Sequence, residues 1–176
     1  HTYRDLSIVA LMLFNGLRSR ETMELRLADL NFSESRLRVH GKGNKERVLP
    51  LCQETIHTLR QYIEYERPRG PSSFLFLGLK GRRRGHPMTP AGFRSLFRYH
   101  RKVAKVPLAN PHRFRHTFGA DMVRFGVSLP ALMHLMGHSH IQTTMLYVRL
   151  SPEDVWREYR RVVQKRKQRE LSASVR

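Results

Sequence analysis

Apolar positions along the chain follow two periods. Between residues 2 and 14 they fall at Leu6, Val9, Ala10, Leu13 and Phe14, the spacing of one helix face, until Asn15-Gly16 breaks the run. A second helix is predicted from Ser19 to about Leu27. The period then changes to two. Residues 35–40 alternate, with Leu37 and Val39 on one side, and residues 46–51 read as the partner strand. Gly41-Lys42-Gly43-Asn44 between them is turn chemistry, which makes the pair a hairpin. Residues 53–66 are helical and stop before Pro68-Arg69-Gly70-Pro71. Residues 74–77 form a short apolar strand, followed by a charged loop over 80–86.

The rest of the chain reads as helix punctuated by caps. Thr89 and Pro90 supply an N-cap and a first helical residue, and Asn110-Pro111 repeats the signal for a helix ending at Gly126. Ser128 caps a short helix closed by Gly137. Ser139 with Gln142 makes a capping box for the next helix, which carries Tyr147. Ser151, Pro152 and Asp154 begin a last helix that runs to about residue 169. There is no internal repeat and no low-complexity linker. The predicted fold is mainly α with a small antiparallel sheet of about three strands, an α+β domain.

Length and charge narrow the function classes. The 176 residues suit one domain with a proper core. A formal net charge of +19, from 33 Lys+Arg against 14 Asp+Glu, favours a polyanionic partner, above all nucleic acid. The single cysteine, Cys52, excludes an intrachain disulfide framework and fits a reducing compartment. The longest apolar run, residues 8–14, is far shorter than the ~20 residues that span a bilayer, and no signal peptide is visible. The chain opens at His1 inside a helical pattern, so it is read as the C-terminal part of a longer protein.

Three segments carry candidate chemistry. On the helix from Pro111, His112, Arg115 and His116 stand at i, i+3 and i+4 and share a face, while Phe114, Phe118, Met122 and Phe125 line an apolar one. Such a helix buries its phenylalanines and turns a histidine–arginine pair toward a site, although a plain surface helix has the same pattern. At the hairpin tip, Lys42 and Lys45 sit among glycines, where backbone approaches a nucleic acid closely. A solvated turn is the bland alternative. The third segment is Gly137-His138 and the helix with Tyr147. Its apolar stripe of Ile141, Met145 and Val148 would equally describe a buried core tyrosine. His112 and His116 at i, i+4 also raise a zinc pair. However, Arg113 stands where His-Glu-x-x-His needs its glutamate, and Arg115 would repel a cation.

The separate signals meet in one family pattern. Gly16-Leu17-Arg18-Ser19-Arg20-Glu21, Gly41-Lys42-Gly43-Asn44-Lys45-Glu46-Arg47, Pro111-His112-Arg113-Phe114-Arg115-His116-Thr117-Phe118 and Leu135-Met136-Gly137-His138-Ser139 resemble four blocks of the tyrosine recombinases. So does Thr143-Thr144-Met145-Leu146-Tyr147. This is the family of phage integrases and Xer-type recombinases. The blocks come in the family's order, with 23 positions from Arg115 to His138 and 9 from His138 to Tyr147. The resemblance covers nearly the whole chain as a catalytic domain, with residues 1–150 as core and 151–176 as a C-terminal helix and tail.

The resemblance implies cutting and rejoining of DNA through a 3′-phosphotyrosine link, without metal, ATP or other cofactor. Tyr147 is the implied nucleophile and His112 the general base or hydrogen-bond partner that a phenol of pKa near 10 needs. Arg18 and Arg115 would bind the non-bridging oxygens of the scissile phosphate, and His138 would add a hydrogen bond there. Lys42 would protonate the leaving 5′-hydroxyl; only the block alignment favours it over Lys45. Glu21 matches an acidic position that orients the site, and His116 matches a supporting one.

Arg20 is unusual beside Arg18 and is expected on backbone phosphate, with Lys45. Lys80, Arg82, Arg83 and Arg84 are expected to make phosphate contacts that fix register without reading sequence. Along the last helix, Val155, Trp156, Tyr159, Val162 and Val163 form an apolar stripe. It would either dock on a neighbour in a synaptic homotetramer or pack on its own domain.

The expected partner is double-stranded DNA at a specific site, with no membrane involvement. The expected setting is the bacterial cytoplasm, at the nucleoid when acting. The family's N-terminal core-binding domain is missing from the sequence, which predicts weak DNA binding by this part alone. A catalytically silent DNA-binding regulator on the same fold is the competing reading. A basic RNA-binding protein is disfavoured by the lack of an aromatic sheet-face motif. The short block spacing argues against a type IB topoisomerase.

Overall fold

A computed structural model describes residues 2–41, 43, 45–138, 141–145, 156, 159–166 and 168. The first helix, α1, spans Tyr3–Phe14, and the Thr2 hydroxyl caps it by accepting the Asp5 N–H at 3.2 Å. Ile8, Leu11 and Met12 on its inner face are fully buried. α2 covers Ser19–Glu24, shorter than the 19–27 expected. Leu25 and Arg26 are extended instead, because this stretch pairs with residues 73–75: the Leu75 N–H donates to Leu25 O at 2.8 Å, and Arg26 bridges Phe74. A 3-10 turn, Leu27–Asp29, follows.

The sheet has three antiparallel strands in the order β1 (Leu30–Asn31), β2 (Arg36–His40), β3 (Glu46–Pro50). The hairpin of β2 and β3 forms in the expected place, with Val39 opposite Arg47 and Leu37 opposite Leu49. Its stem is tied by His40, whose Nε2 lies 3.0 Å from Asp29 and whose Nδ1 lies 2.9 Å from Glu46. The third strand is not the one expected. Residues 74–77 join no sheet and make only single bridges, at Phe74 and Leu77. Their apolar side chains are buried for another reason: Leu75, Phe76 and Leu77 plug the core beside Tyr62, whose hydroxyl donates to Leu75 O and accepts the Leu77 N–H.

α3 (Gln53–Gln61) runs on through a π-helical turn, Tyr62–Glu66, so the expected helix over 53–66 is continuous. α4 (Pro90–Val103) starts at the Thr89 cap and buries Phe93, Leu96 and Phe97. α5 (Pro111–Arg124) starts at the Asn110 cap, and α6 (Leu129–Met136) runs from Ser128 to Gly137. α7 comprises Ile141–Met145. Ser139, the cap expected for it, lies outside the described residues.

One core joins α1, the sheet, α3 and α4. A smaller cluster of Phe118, Leu132 and Met136 joins α5 to α6. Phe125 departs from expectation. It stands at the C-cap of α5, past the last regular turn, and is 79% exposed rather than buried. Trp156, residues 159–166 and Gln168 are helical. Among the described residues no helix is long and apolar enough to cross a membrane.

Candidate active site

The site is assembled around Glu21. After α1 the chain must reverse sharply, and Gly16 makes this possible with φ +64. A Cβ there would also run into the Phe118 ring, so the turn presses directly on α5. Arg18 then becomes the N-cap of α2 and Glu21 its third residue. The Arg18 backbone N–H donates to Glu21 Oε2, and Arg18 Nη1 to Oε1, both at 2.8 Å. The Arg18 guanidinium also reaches Gly137 O at 3.1 Å.

Arg47, on the inward face of β3, meets Glu21 from below. Its two Nη groups donate to the two carboxylate oxygens at 2.9 Å each, a bidentate pair with side chains only 6% and 5% exposed. Its Nε donates to Leu135 O, also at 2.9 Å, so one guanidinium joins α2, β3 and α6. Burial alone would raise the Glu21 pKa. The Arg47 hydrogen bonds, the Arg18 N–H and the charges of both arginines outweigh it, and the carboxyl is held at about 2.

Arg115 closes the cluster from α5. It is buried, with Nη1 donating to Gly16 O and Nη2 to Met136 O at 2.6 Å. Nη2 also stands 2.9 Å from His138 Nε2, and Nη1 lies 3.9 Å from Glu21. On its other side His138 Nδ1 stands 2.9 Å from the hydroxyl of Thr144, a fully buried residue of α7. Burial, then the charges of Arg115, Arg18 and Arg47, lower the His138 pKa to about 4, against the opposing pull of Glu21. The ring is therefore neutral at pH 7. Three arginines about one carboxylate leave the site cationic. Their forked donors suit an anion with several oxygens, such as a phosphodiester.

Gly137 sets the last approach. It closes α6 in the left-handed region, φ +61, and a Cβ there would sit 2.7 Å from Arg47 Nη1. Gly137→Ala should therefore destabilise the fold by at least about 1–2 kcal/mol from backbone strain alone. It should also displace Arg47. Urea denaturation measures the first effect. An unchanged midpoint would mean that neither the backbone strain nor the displacement of Arg47 costs stability.

Of the residues expected from sequence, Arg18, Glu21, Arg115 and His138 are brought together. His112 and His116 flank Arg115 on α5 and are both exposed. Lys42 and Tyr147 lie outside the described residues. Arg20 is exposed and paired with Glu24 at 2.7 Å. Lys45 is exposed in the turn of the hairpin. Lys80, Arg82, Arg83 and Arg84 are exposed on a closed loop rather than a slack one. Gly78 exchanges backbone hydrogen bonds with Gly85 and His86 at 2.9 Å, and residues Gly81–Arg83 form a 3-10 turn. Two site residues escape the sequence reading: Arg47 and Thr144. Arg47 ends the hairpin block quoted above, but its place opposite Val39 on the inner face appears only with the strand register.

The phage integrase family model matches residues 1–154. The tyrosine recombinase XerD of Staphylococcus haemolyticus is 33% identical over 162 residues, 89% of this chain and 54% of that protein. XerC of Leptospira interrogans is 32% identical over 160 residues, 90% of this chain and 50% of that one. The chain thus spans about half the length of these relatives. Among solved structures, XerA recombinase superposes with TM-score 0.76 at 25% identity, over 90% of this chain and 58% of that chain. The Tn1549 transposon integrase in complex with circular intermediate DNA gives 0.71 at 25%, over 89% and 59%. A site built from the separated blocks of this sequence, on this fold and with these relatives, identifies the chain as a member of the phage integrase family of tyrosine recombinases.

Proposed function

We propose that this chain is the catalytic part of a site-specific DNA recombinase that breaks and rejoins strands through a covalent 3′-phosphotyrosine. The observation that carries this reading is the convergence of Arg18 and Arg115 on one buried carboxylate, with His138 held against Arg115, in a cluster with excess positive charge. Arg18 and Arg115 hold the non-bridging oxygens of the scissile phosphate and stabilise the charge that grows on them. The Tyr147 oxygen attacks phosphorus while its proton passes to His112. The bond to the 5′-oxygen breaks, and Lys42 gives that oxygen a proton. His138 adds a hydrogen bond to the phosphate, Glu21 orients the arginines, and His116 supports the α5 face. The phosphotyrosine retains the energy of the bond it replaces, so a second 5′-hydroxyl reverses the step without ATP or metal.

Arg20, Lys45, Lys80, Arg82, Arg83 and Arg84 are assigned to the DNA backbone, in keeping with the net charge of +19. The resemblance adds a core-binding domain that closes on the DNA from the other side, and residues 1–150 and 151–176 act as catalytic core and tail. The tail docks on a neighbouring subunit of a homotetramer. Support comes from Trp156, Tyr159 and Val162, which share a stripe yet are each at least 60% exposed. The working site is bacterial DNA in the cytoplasm.

Covalent trapping tests this. The chain and its Tyr147→Phe variant are incubated with nicked duplexes carrying the attachment site at which the protein recombines DNA, in EDTA, and resolved on a denaturing gel. A DNA–protein adduct that requires Tyr147 is expected. No adduct from the full-length protein on its own site would favour a silent DNA-binding regulator instead.

A further inference from the structure

We propose that Thr144 is a positioning residue for strand cleavage. Its hydroxyl fixes the ring and the proton of His138, and through His138 the Arg115 guanidinium, from the segment that leads into Tyr147. The inference rests on the recombinase reading above. A guanidinium offers only N–H donors, so His138 Nε2, at 2.9 Å from Arg115, must accept. An accepting nitrogen carries no proton. In a neutral imidazole the proton is then on Nδ1, and Nδ1 faces the Thr144 hydroxyl at 2.9 Å.

The charged groups around the ring agree with that assignment. Among the described residues, Arg115 from α5, Arg18 at the start of α2 and Arg47 from β3 oppose a positive imidazole, and Glu21 favours one. Thr144 is fully buried, so little water reaches its hydroxyl to compete for Nδ1.

An entering phosphate reverses the local balance. Its negative charge offsets the arginines, and His138 takes a proton on Nε2 from the acid in bulk solvent as the Arg115 N–H that faced it turns to the phosphate. That nitrogen then donates to a phosphate oxygen, while Nδ1–H stays on Thr144. The ring changes from acceptor to donor while Thr144 keeps it in place. Valine at 144 would keep the shape, remove the hydroxyl that faces Nδ1 and free the ring to change tautomer or turn. Thr144 is six residues past His138 and three before Tyr147. One hydroxyl therefore relates the arginine cluster to the chain that bears the nucleophile.

The test reads His138 directly. In nitrogen-15 spectra of the 176-residue chain near neutral pH, Nδ1 should appear protonated and Nε2 unprotonated. Thr144→Ser should keep this pattern, and Thr144→Val should mix the two tautomers. Adduct formation on the nicked attachment-site duplex should slow by about 10-fold in Thr144→Val, the rate equivalent of one hydrogen bond, and largely recover in Thr144→Ser.

A protonated Nε2 in the unaltered chain overturns the proposal without any variant, as does a Thr144→Val protein with unchanged His138 signals and an unchanged rate. If the unaltered protein forms no adduct on its own site, the recombinase reading fails and the cleavage role fails with it. The nitrogen spectra still decide separately whether Thr144 holds His138.

Discussion

Replacing Arg47 with methionine should cost the fold about 3–5 kcal/mol, the usual penalty for removing one partner of a buried ion pair. For a chain of 176 residues that lowers the melting temperature by roughly 6–20 °C. The argument is local. Arg47 gives Glu21 two hydrogen bonds at 2.9 Å and gives Leu135 O a third. Methionine fills similar space and supplies none of them. Glu21 is left buried, with Arg18 (41% exposed at its side chain) and Arg115 at 3.9 Å.

The effect of Arg47→Met should depend on pH with a definite sign. Glu21 titrates at about 2 in the folded protein, below its ordinary 4.5. A depressed carboxyl adds stability above the unfolded pKa and loses it as pH falls toward the folded one. The gap of about 2.5 pH units is equivalent to roughly 3 kcal/mol at neutral pH, the same order as the pair estimate. The difference between unaltered protein and Arg47→Met should therefore be full above pH 5 and shrink between about 4.5 and 2. Adding Glu21→Gln to Arg47→Met should recover part of the loss, since it removes the stranded charge. Urea denaturation across that range measures all three. A loss under about 1 kcal/mol that does not change with pH would mean that Arg18 alone satisfies Glu21.

Arg47 also marks where the sequence ceases to be legible. In residues 46–51 the alternation has two frames, because Val48 and Leu49 are both apolar. Pairing with β2 selects the frame that points Leu49 inward and leaves Val48 exposed, and this puts Arg47 inside. An inward arginine conflicts with local hydrophobic patterning, and only a carboxylate 26 positions away resolves it. The caps, by contrast, are local. Thr89, Asn110 and Ser128 each bond an N–H three residues on, and each was readable from residue type.

The third strand departs from the sequence pattern for the opposite reason. Residues 74–77 are apolar, as a strand would be, but their neighbours are the Tyr62 hydroxyl and the extended Leu25–Arg26 segment, which no local pattern reveals. Period alone places Phe125 on the apolar face. The helix ends one residue too soon to carry it inward. Thr144 was hidden differently. Within Thr143-Thr144 nothing distinguishes the two hydroxyls until α7 turns one toward His138.

Arg115→Lys should slow adduct formation by about 10²–10³-fold or more, the scale of losing a transition-state donor. Lysine preserves the charge, so the expected loss isolates what the fork contributes. An ammonium is a point donor on a flexible stem and cannot span Gly16 O, Met136 O and His138 Nε2 at once. Each buried carbonyl left without a donor costs about 1–3 kcal/mol, so Arg115→Lys should lose stability as well as rate. Arg18→Lys provides the contrast. Arg18 is half-exposed, and its backbone N–H still caps Glu21 after substitution. Its rate should fall on the same scale while the denaturation midpoint moves little. Single-turnover adduct formation at saturating nicked DNA, with urea denaturation of the same samples, separates the two arginines. Equal stability losses would mean that both are structural props. A normal rate in Arg115→Lys would mean that charge alone holds the phosphate, and the forked geometry around Glu21 would then serve folding and not cleavage.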